Sequence, residues 1–392
     1  MRAERPTDPG RQCAPLRPLD NERGLALVIV LAVVALLTIM VTEFTFNTNL
    51  DQHRTRNAVH ALQAQLLARS GINLAEGFLM LDEEPAYDAY SEDWFPQMVQ
   101  FCRELNVDPT MRLRCTVRDE SGKINVNNTR EPRRRVESQS VTASAVLRDA
   151  MRCMFERRGI DVEVVNQLAD YWQQDAPPKD DGTQAAIPDF TSLEDFGATF
   201  RIPTEHLQKL RAVLTAQPRA LLPRINVNTA PSEVLAAVLN AEQDGCPPNE
   251  AVQQIVERQR DPDQPFKASG DLSGIIQSLD NSNVKTTLFG VQSRLFRLEA
   301  SALANVDPDN PDSGGIGQTV SALVARQTSL KPKANNSAPQ VGANGKPLPN
   351  WTLRPLDWQK EGGARLFRPT PGEDEDQPGT MDEENEPADQ HG

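Results

Sequence analysis

The sequence is poor in the residues from which enzymes build their sites. It has four histidines (His53, His60, His206 and His391) in 392 residues, and no GxSxG, HExxH or phosphate-loop pattern. That removes the commonest hydrolase, zinc-protease and nucleotide-binding signatures. His53 and His60 stand seven apart on one helical face without a third ligand nearby, so they read as a solvated face rather than a metal site. No two cysteines form a CxxC pair, and zinc-ribbon or thioredoxin-like chemistry has no support. An excess of basic charge is missing as well. The net charge is −14, and residues 369–392 hold nine acids with no Lys, Arg or aromatic residue. That stretch predicts a disordered acidic tail. Phosphate contact needs a basic footprint, so no nucleic-acid partner is expected. The cluster Arg130, Arg133, Arg134 and Arg135 reads as a solvated loop.

Against these absences stands one long apolar run, RGLALVIVLAVVALLTIMVTE, at 23–43. Residues 24–41 are 18 positions without a charge. At ~1.5 Å of rise per residue they span ~27 Å, close to a bilayer core. A removed secretory signal would have a shorter apolar core and a small-x-small site behind it. Here Thr42, Glu43 and Phe44 follow. Arg2, Arg5, Arg11, Arg17 and Arg23 precede the run, and Arg54 and Arg56 are the nearest cations after it. The positive-inside rule then puts the N-terminus in the cytoplasm and the bulk of the chain outside it, in what would be a periplasm.

Beyond the run, Val59, Leu62, Leu66, Leu74, Phe78 and Leu81 recur at helical spacings with one gap, predicting a single long helix that lays this stripe on a soluble domain. Gly71 and Gly77 read as tolerated interior glycines at a cost of ~1 kcal/mol each, with a kink near them. A short helix over 92–105 and a strand over 112–117 follow. The tetrapeptide INVN then occurs twice, at 124–127 and 225–228. The second copy opens a helical hairpin, with Asn228 or Thr229 as cap, Pro231 in the first turn and Glu233 at the positive end of the dipole. Helical periodicity also covers 141–157, 161–171 and 204–216. Strand character returns at 293–300, where Phe296, Leu298 and Ala300 share one face, at 319–325, and at 354–361 as an edge strand. Strands flanking a long helical insert make an α+β chain.

Cys13 precedes the run, and Cys102, Cys115, Cys153 and Cys246 follow it into an oxidising compartment. Four cysteines permit three connectivities, beside the alternative of buried free thiols. The short gap across the turn at 106–109 favours Cys102 with Cys115, which leaves Cys153 with Cys246; the sequence alone does not fix the pairing. The acidic stretch 168–195 offers Asp170, Asp175, Asp180, Asp181 and Asp189 as oxygen ligands for calcium, although its spacing is not that of an EF-hand.

Taken together, RGLALVIVLAVVALLTIMVTEFTF, LARSGINLAEG, DESGKINVNN, INVNTAPSEVL and SRLFRLEA resemble the general secretion pathway protein K family, the large minor pseudopilins of bacterial type II secretion systems. The likeness is collinear over about 20–326, with an echo at LDWQKE. It implies a pilin-like α+β fold with a transmembrane helix, a small antiparallel sheet and a large inserted SAM-like helical domain. The implied parts are a leader at 1–24, a transmembrane helix at 25–42 and the first pilin-like part at 43–128. Two SAM-like regions follow at 129–224 and 225–285, then the second pilin-like part with a Pro/Asn-rich loop at 286–362, and the acidic tail at 363–392. The resemblance further implies cleavage by a prepilin peptidase between Gly24 and Leu25, N-methylation of Leu25, calcium binding, and assembly with minor pseudopilins I and J at a pseudopilus tip. It implies an assembly role and no catalysis. Two positions depart from the pattern. Ile29 stands at the fifth mature position, where ordinary pilins carry Glu, and Gln173 replaces an acid in the 170–175 segment. An unpaired carboxylate in hydrocarbon is costly, so Ile29 suits a terminal subunit with no neighbouring amine to neutralise. The competing reading is a membrane-anchored helix-hairpin-helix protein that binds DNA in an uptake system. Its turn, 244–248, has one glycine and two prolines, a poor cradle for phosphate.

Overall fold

The computed structural model describes residues 22–82, 86–104, 108–131, 142–174, 187–240, 243, 245–310, 314–328 and 351–361. The chain divides into two units, Met1–Val59 and His60–Gly392. Helix α1 (Glu22–Met80) begins in the first and ends in the second as one unbroken element. In the first unit it carries the apolar run, and Leu25 to Val41 are exposed throughout.

The second unit builds a four-stranded antiparallel sheet in the order β1-β6-β7-β8 from β1 (Met111–Asp119), β6 (Leu295–Ala304), β7 (Ile316–Thr328) and β8 (Trp351–Glu361). Alternation explains β6: Phe296, Leu298, Ala300, Ala302 and Ala304 are buried, while Arg297 and Glu299 between them are only partly covered. The buried face receives helix α2 (Trp94–Glu104) and residues 64–79 of α1.

The α1 stripe is a correction. Val59, Leu62 and Leu66 are 50%, 56% and 54% exposed, and Leu81 is exposed as well. The face that packs on the sheet is Ala64, Ala68, Gly71, Ile72, Ala75 and Leu79, flanked by Leu74 and Phe78. Small residues there let the helix axis approach the strands. A Cβ on Gly71 would lie 2.9 Å from Ala300 Cβ and 3.0 Å from Leu113 Cδ1. Gly71 is therefore a close-approach residue, whereas Gly77 has open space beside it. The helix is continuous through both glycines.

Between β1 and β6 lie two helical regions of parallel construction. In the first, β2 (Ile124–Asn125) pairs in parallel with β3 (Leu214–Thr215), enclosing α3 (Ala143–Arg157), α4 (Glu163–Gln173), α5 (Leu193–Phe200) and α6 (Thr204–Leu210). In the second, β4 (Ile225–Asn226) pairs in parallel with β5 (Phe289–Gly290), enclosing α7 (Ser232–Leu239), α8 (Glu250–Arg260), α9 (Gly270–Ile276) and α10 (Ser282–Leu288). The helix expected over 204–216 stops at Leu210, because the chain turns there to form β3; Ile124 N–H donates to Val213 O at 3.0 Å. Both regions share one apolar core, with Val234 to Leu239 of α7 buried on every side.

Candidate functional site

Each INVN copy is a backbone clamp. Asn127 Nδ2 donates to Phe190 O at 2.9 Å and its Oδ1 accepts from Phe190 N–H at 2.8 Å. Asn228 holds Phe266 in the same way, 2.9 Å in both directions. The preceding asparagines turn their own strands: Asn125 Oδ1 accepts from Asn127 N–H, and Asn226 Oδ1 from Asn228 N–H. An amide side chain donates and accepts side by side without carrying charge, so one asparagine can meet both the N–H and the C=O of a single residue. The cap expected at Asn228 or Thr229 is corrected accordingly. Pro231 occupies the N-cap of α7 without a side-chain hydrogen bond, because Asn228 holds Phe266 and Thr229 Oγ1 donates to Asp119.

The four cysteines that follow the apolar run are joined as Cys102–Cys115 and Cys153–Cys246, with Cα separations of 5.8 and 6.2 Å. The first ties α2 to β1. The second ties α3 to the turn after α7, where Asn240 Nδ2 also donates to Pro247 O at 2.8 Å. Cys246 is fully buried there, while Gln243, Gly245, Pro247 and Pro248 around it are exposed.

Sheet and helical regions meet in a buried polar junction. Arg326 of β7 bridges Asp88 at 2.5 Å and Asp82, just past α1, at 2.9 Å. Asp88 also accepts from Ser293 N–H at 2.6 Å. Asp119 accepts from Ser121 N–H at 2.7 Å, from the hydroxyls of Ser293 and Thr229, and from Asn226 Nδ2 at 3.3 Å. Burial raises the carboxyl pKa of Asp88 to about 7, against the opposing pull of Arg326. Burial likewise raises Glu92 to about 8, although Ala89 N–H and Trp94 Nε1 donate to it. Asp119 is also raised by burial, partly offset by its hydroxyl donors. For Glu120 burial acts upward too, but Lys123 at 2.8 Å and Arg297 at 3.0 Å outweigh it and bring the pKa down to about 2. Most of these oxygens accept from protein donors, and the junction thereby fastens the two parts of the unit.

The other anticipated residues are placed as follows. Leu25 is exposed near the start of α1, one residue after Gly24, and Ile29 is exposed one turn on. The leader up to residue 21 lies outside the described residues. Asp170 is exposed on α4, while Asp189 is taken by Arg219 at 3.3 Å and Arg130 at 4.0 Å. Asp175, Asp180, Asp181, Arg133, Arg134, Arg135, the Pro/Asn-rich loop and the acidic tail lie outside the described residues. Among the described residues no three His, Cys, Asp or Glu side chains gather as a metal would require. Sequence reasoning did not find Asp82, Asp88, Glu92, Ser293 or Arg326. Asp88 and Arg326 are 238 residues apart, and no local pattern pairs them.

No family model matches the chain. A chain in the crystal structure of the GspK–GspI–GspJ complex from the enterotoxigenic Escherichia coli type 2 secretion system is covered over 100% of its length by 81% of this one, at 15% identity and a TM-score of 0.49. The sequence relation is broader in reach: type II secretion system protein K of Pseudomonas aeruginosa is 26% identical over 368 residues, 87% of this chain and 98% of that protein. Over most of its length the chain is similar in sequence to type II secretion system protein K.

Proposed function

We propose that the chain is a minor pseudopilin of a type II secretion system that occupies the tip of the pseudopilus, with minor pseudopilins I and J as its partners. α1 anchors it once in the inner membrane, with the N-terminus in the cytoplasm and the helical regions in the periplasm. A prepilin peptidase cleaves between Gly24 and Leu25, and Leu25 is N-methylated. The role is assembly rather than catalysis.

The observation that carries the reading is α1. Its apolar part reaches a mean hydropathy of 3.0 over 18 residues, long and apolar enough to cross a membrane. The same helix runs on to supply one wall of the α–sheet core, the join of anchor and domain that a filament subunit needs. Ile29 supports the terminal position, since it brings no carboxylate for a neighbouring amine. The test is mass analysis of the chain purified from native membranes, together with crosslinking to the other minor pseudopilins. A mature chain beginning at methylated Leu25 and crosslinked to I and J is expected. An intact Met1, or a start beyond residue 41, would overturn the processing. Absence of both partners from the crosslinks would overturn the assembly role.

A further inference from the structure

We propose that a polar groove on the second helical region binds the acidic C-terminal segment of the chain itself, with Arg224 and Arg294 as its charge anchors. The groove is two adjoining cavities of about 460 and 360 Å³ that share Arg224 and Ser269. One runs between α9 and α10 past Ser273, Gln277 and Asn283; the other reaches Arg294 at the entry to β6. No carboxylate lines either cavity. In a chain with 55 acids and 41 bases, that is an electrostatic exception. No described residue pairs with either guanidinium, whereas Arg297 and Arg326 nearby are both taken by carboxylates.

Two guanidinium groups without a partner among the described residues, set among hydroxyls and amides, fit an extended polypeptide that carries carboxylates. Each arginine can grip one carboxylate in two-point fashion, and the amides can serve the backbone between them. The chain supplies such a segment: residues 369–392 hold nine acids and no cation, with Glu373, Asp374, Glu375 and Asp376 consecutive. Reach permits it. Glu361, the end of β8, stands opposite Thr319, and Arg326 N–H bonds Arg294 O. The path from Glu361 to Arg294 is therefore seven residues along β7 and two strands across, about 25 Å at ordinary strand spacings. The twelve residues from Glu361 to Glu373 extend to about 40 Å. Tethering gives the segment an effective concentration on the order of millimolar, which favours it over a free acidic peptide.

The test uses the full chain in detergent, with a benzoylphenylalanine photo-crosslinker replacing the exposed Ser273. A crosslink to a peptide within 369–392, in a product that runs as monomer, is expected. It should fall at least tenfold in the Arg224→Ser, Arg294→Ser double variant and in a tail variant carrying Lys in place of residues 373–376. The tail variant changes none of the residues that line the groove, and an unchanged melting temperature separates its effect from a folding defect. A crosslink to another polypeptide, a crosslinked dimer, no crosslink to the tail, or a tail crosslink that survives both variants would overturn the proposal.

Discussion

Two glycines on one helix should respond in opposite ways to the same methyl group. In a helix interior, replacing Gly by Ala gains ~1 kcal/mol of backbone propensity. At Gly77 the new methyl meets nothing within 4 Å, so that gain should appear whole. At Gly71 it must enter a space where Ala300 Cβ is at 2.9 Å, Leu113 Cδ1 at 3.0 Å and Cys115 Sγ at 3.2 Å. Ala300 Cβ is fixed to the central strand β6, and Cys115 is held by its disulfide, so neither yields cheaply. Overpacking of this kind costs ~1–3 kcal/mol. The two variants should thus differ by ~1–3 kcal/mol, with Gly77→Ala stabilised by ~1 kcal/mol and Gly71→Ala neutral to destabilised by ~2 kcal/mol. At roughly 2 °C per kcal/mol for a large domain, Gly77→Ala should melt about 2 °C higher than wild type and Gly71→Ala up to about 4 °C lower. Thermal unfolding of the full chain in detergent, followed by near-ultraviolet circular dichroism, reads both. Equal stabilisation in the two variants would refute the close packing of α1 on the sheet.

Other expectations follow from the junction, the clamps and the bridges. Folded-state values raised for Asp88 (about 7) and Glu92 (about 8) mean that their contribution is fully present below the unfolded carboxylate range and is lost as pH rises through those values. Glu92→Gln, which keeps an acceptor for Ala89 N–H, should flatten the fall in melting temperature as pH rises between the ordinary glutamate value of 4.5 and about 8; an unchanged slope would show that Glu92 ionises normally. Asn228→Asp loses the donor to Phe266 O but keeps the acceptor for Phe266 N–H, and should cost ~1–3 kcal/mol by leaving a buried carbonyl unmet and a charge enclosed; denaturant unfolding at constant slope checks it. Replacing Cys153 and Cys246 by Ser should cost ~4–5 kcal/mol in the chain-entropy treatment, because the bridge closes a separation of 93 residues, while loss of Cys102–Cys115, with a separation of 13, should cost ~3 kcal/mol. A larger loss for the shorter bridge in chemical unfolding would contradict that ordering.

The apolar run, the alternation of β6 and the helical periods were legible in the amino-acid order, because each depends on neighbours within a turn or a strand. Eighteen uncharged residues match a bilayer whatever the rest of the chain does, and Phe296, Leu298 and Ala300 alternate because a strand does. The repeated INVN marked something special without saying what, since its partners, Phe190 and Phe266, lie 63 and 38 residues downstream. The α1 contact face was misread for a physical reason: periodicity weighs large apolar residues, but a helix that packs tightly on a sheet needs small ones. Leu62 and Leu66 gave the stronger pattern, and Ala64, Ala68 and Gly71 make the contact. The polar junction had no local signature at all. Asp88 and Asp119 acquire raised pKa values, and Asp82, Ser293 and Arg326 join them in ion pairs and shared hydrogen bonds, only when the strands bring distant segments together and remove the water between them. Local order thus set the elements, and tertiary packing alone decided which faces meet and which charges are buried.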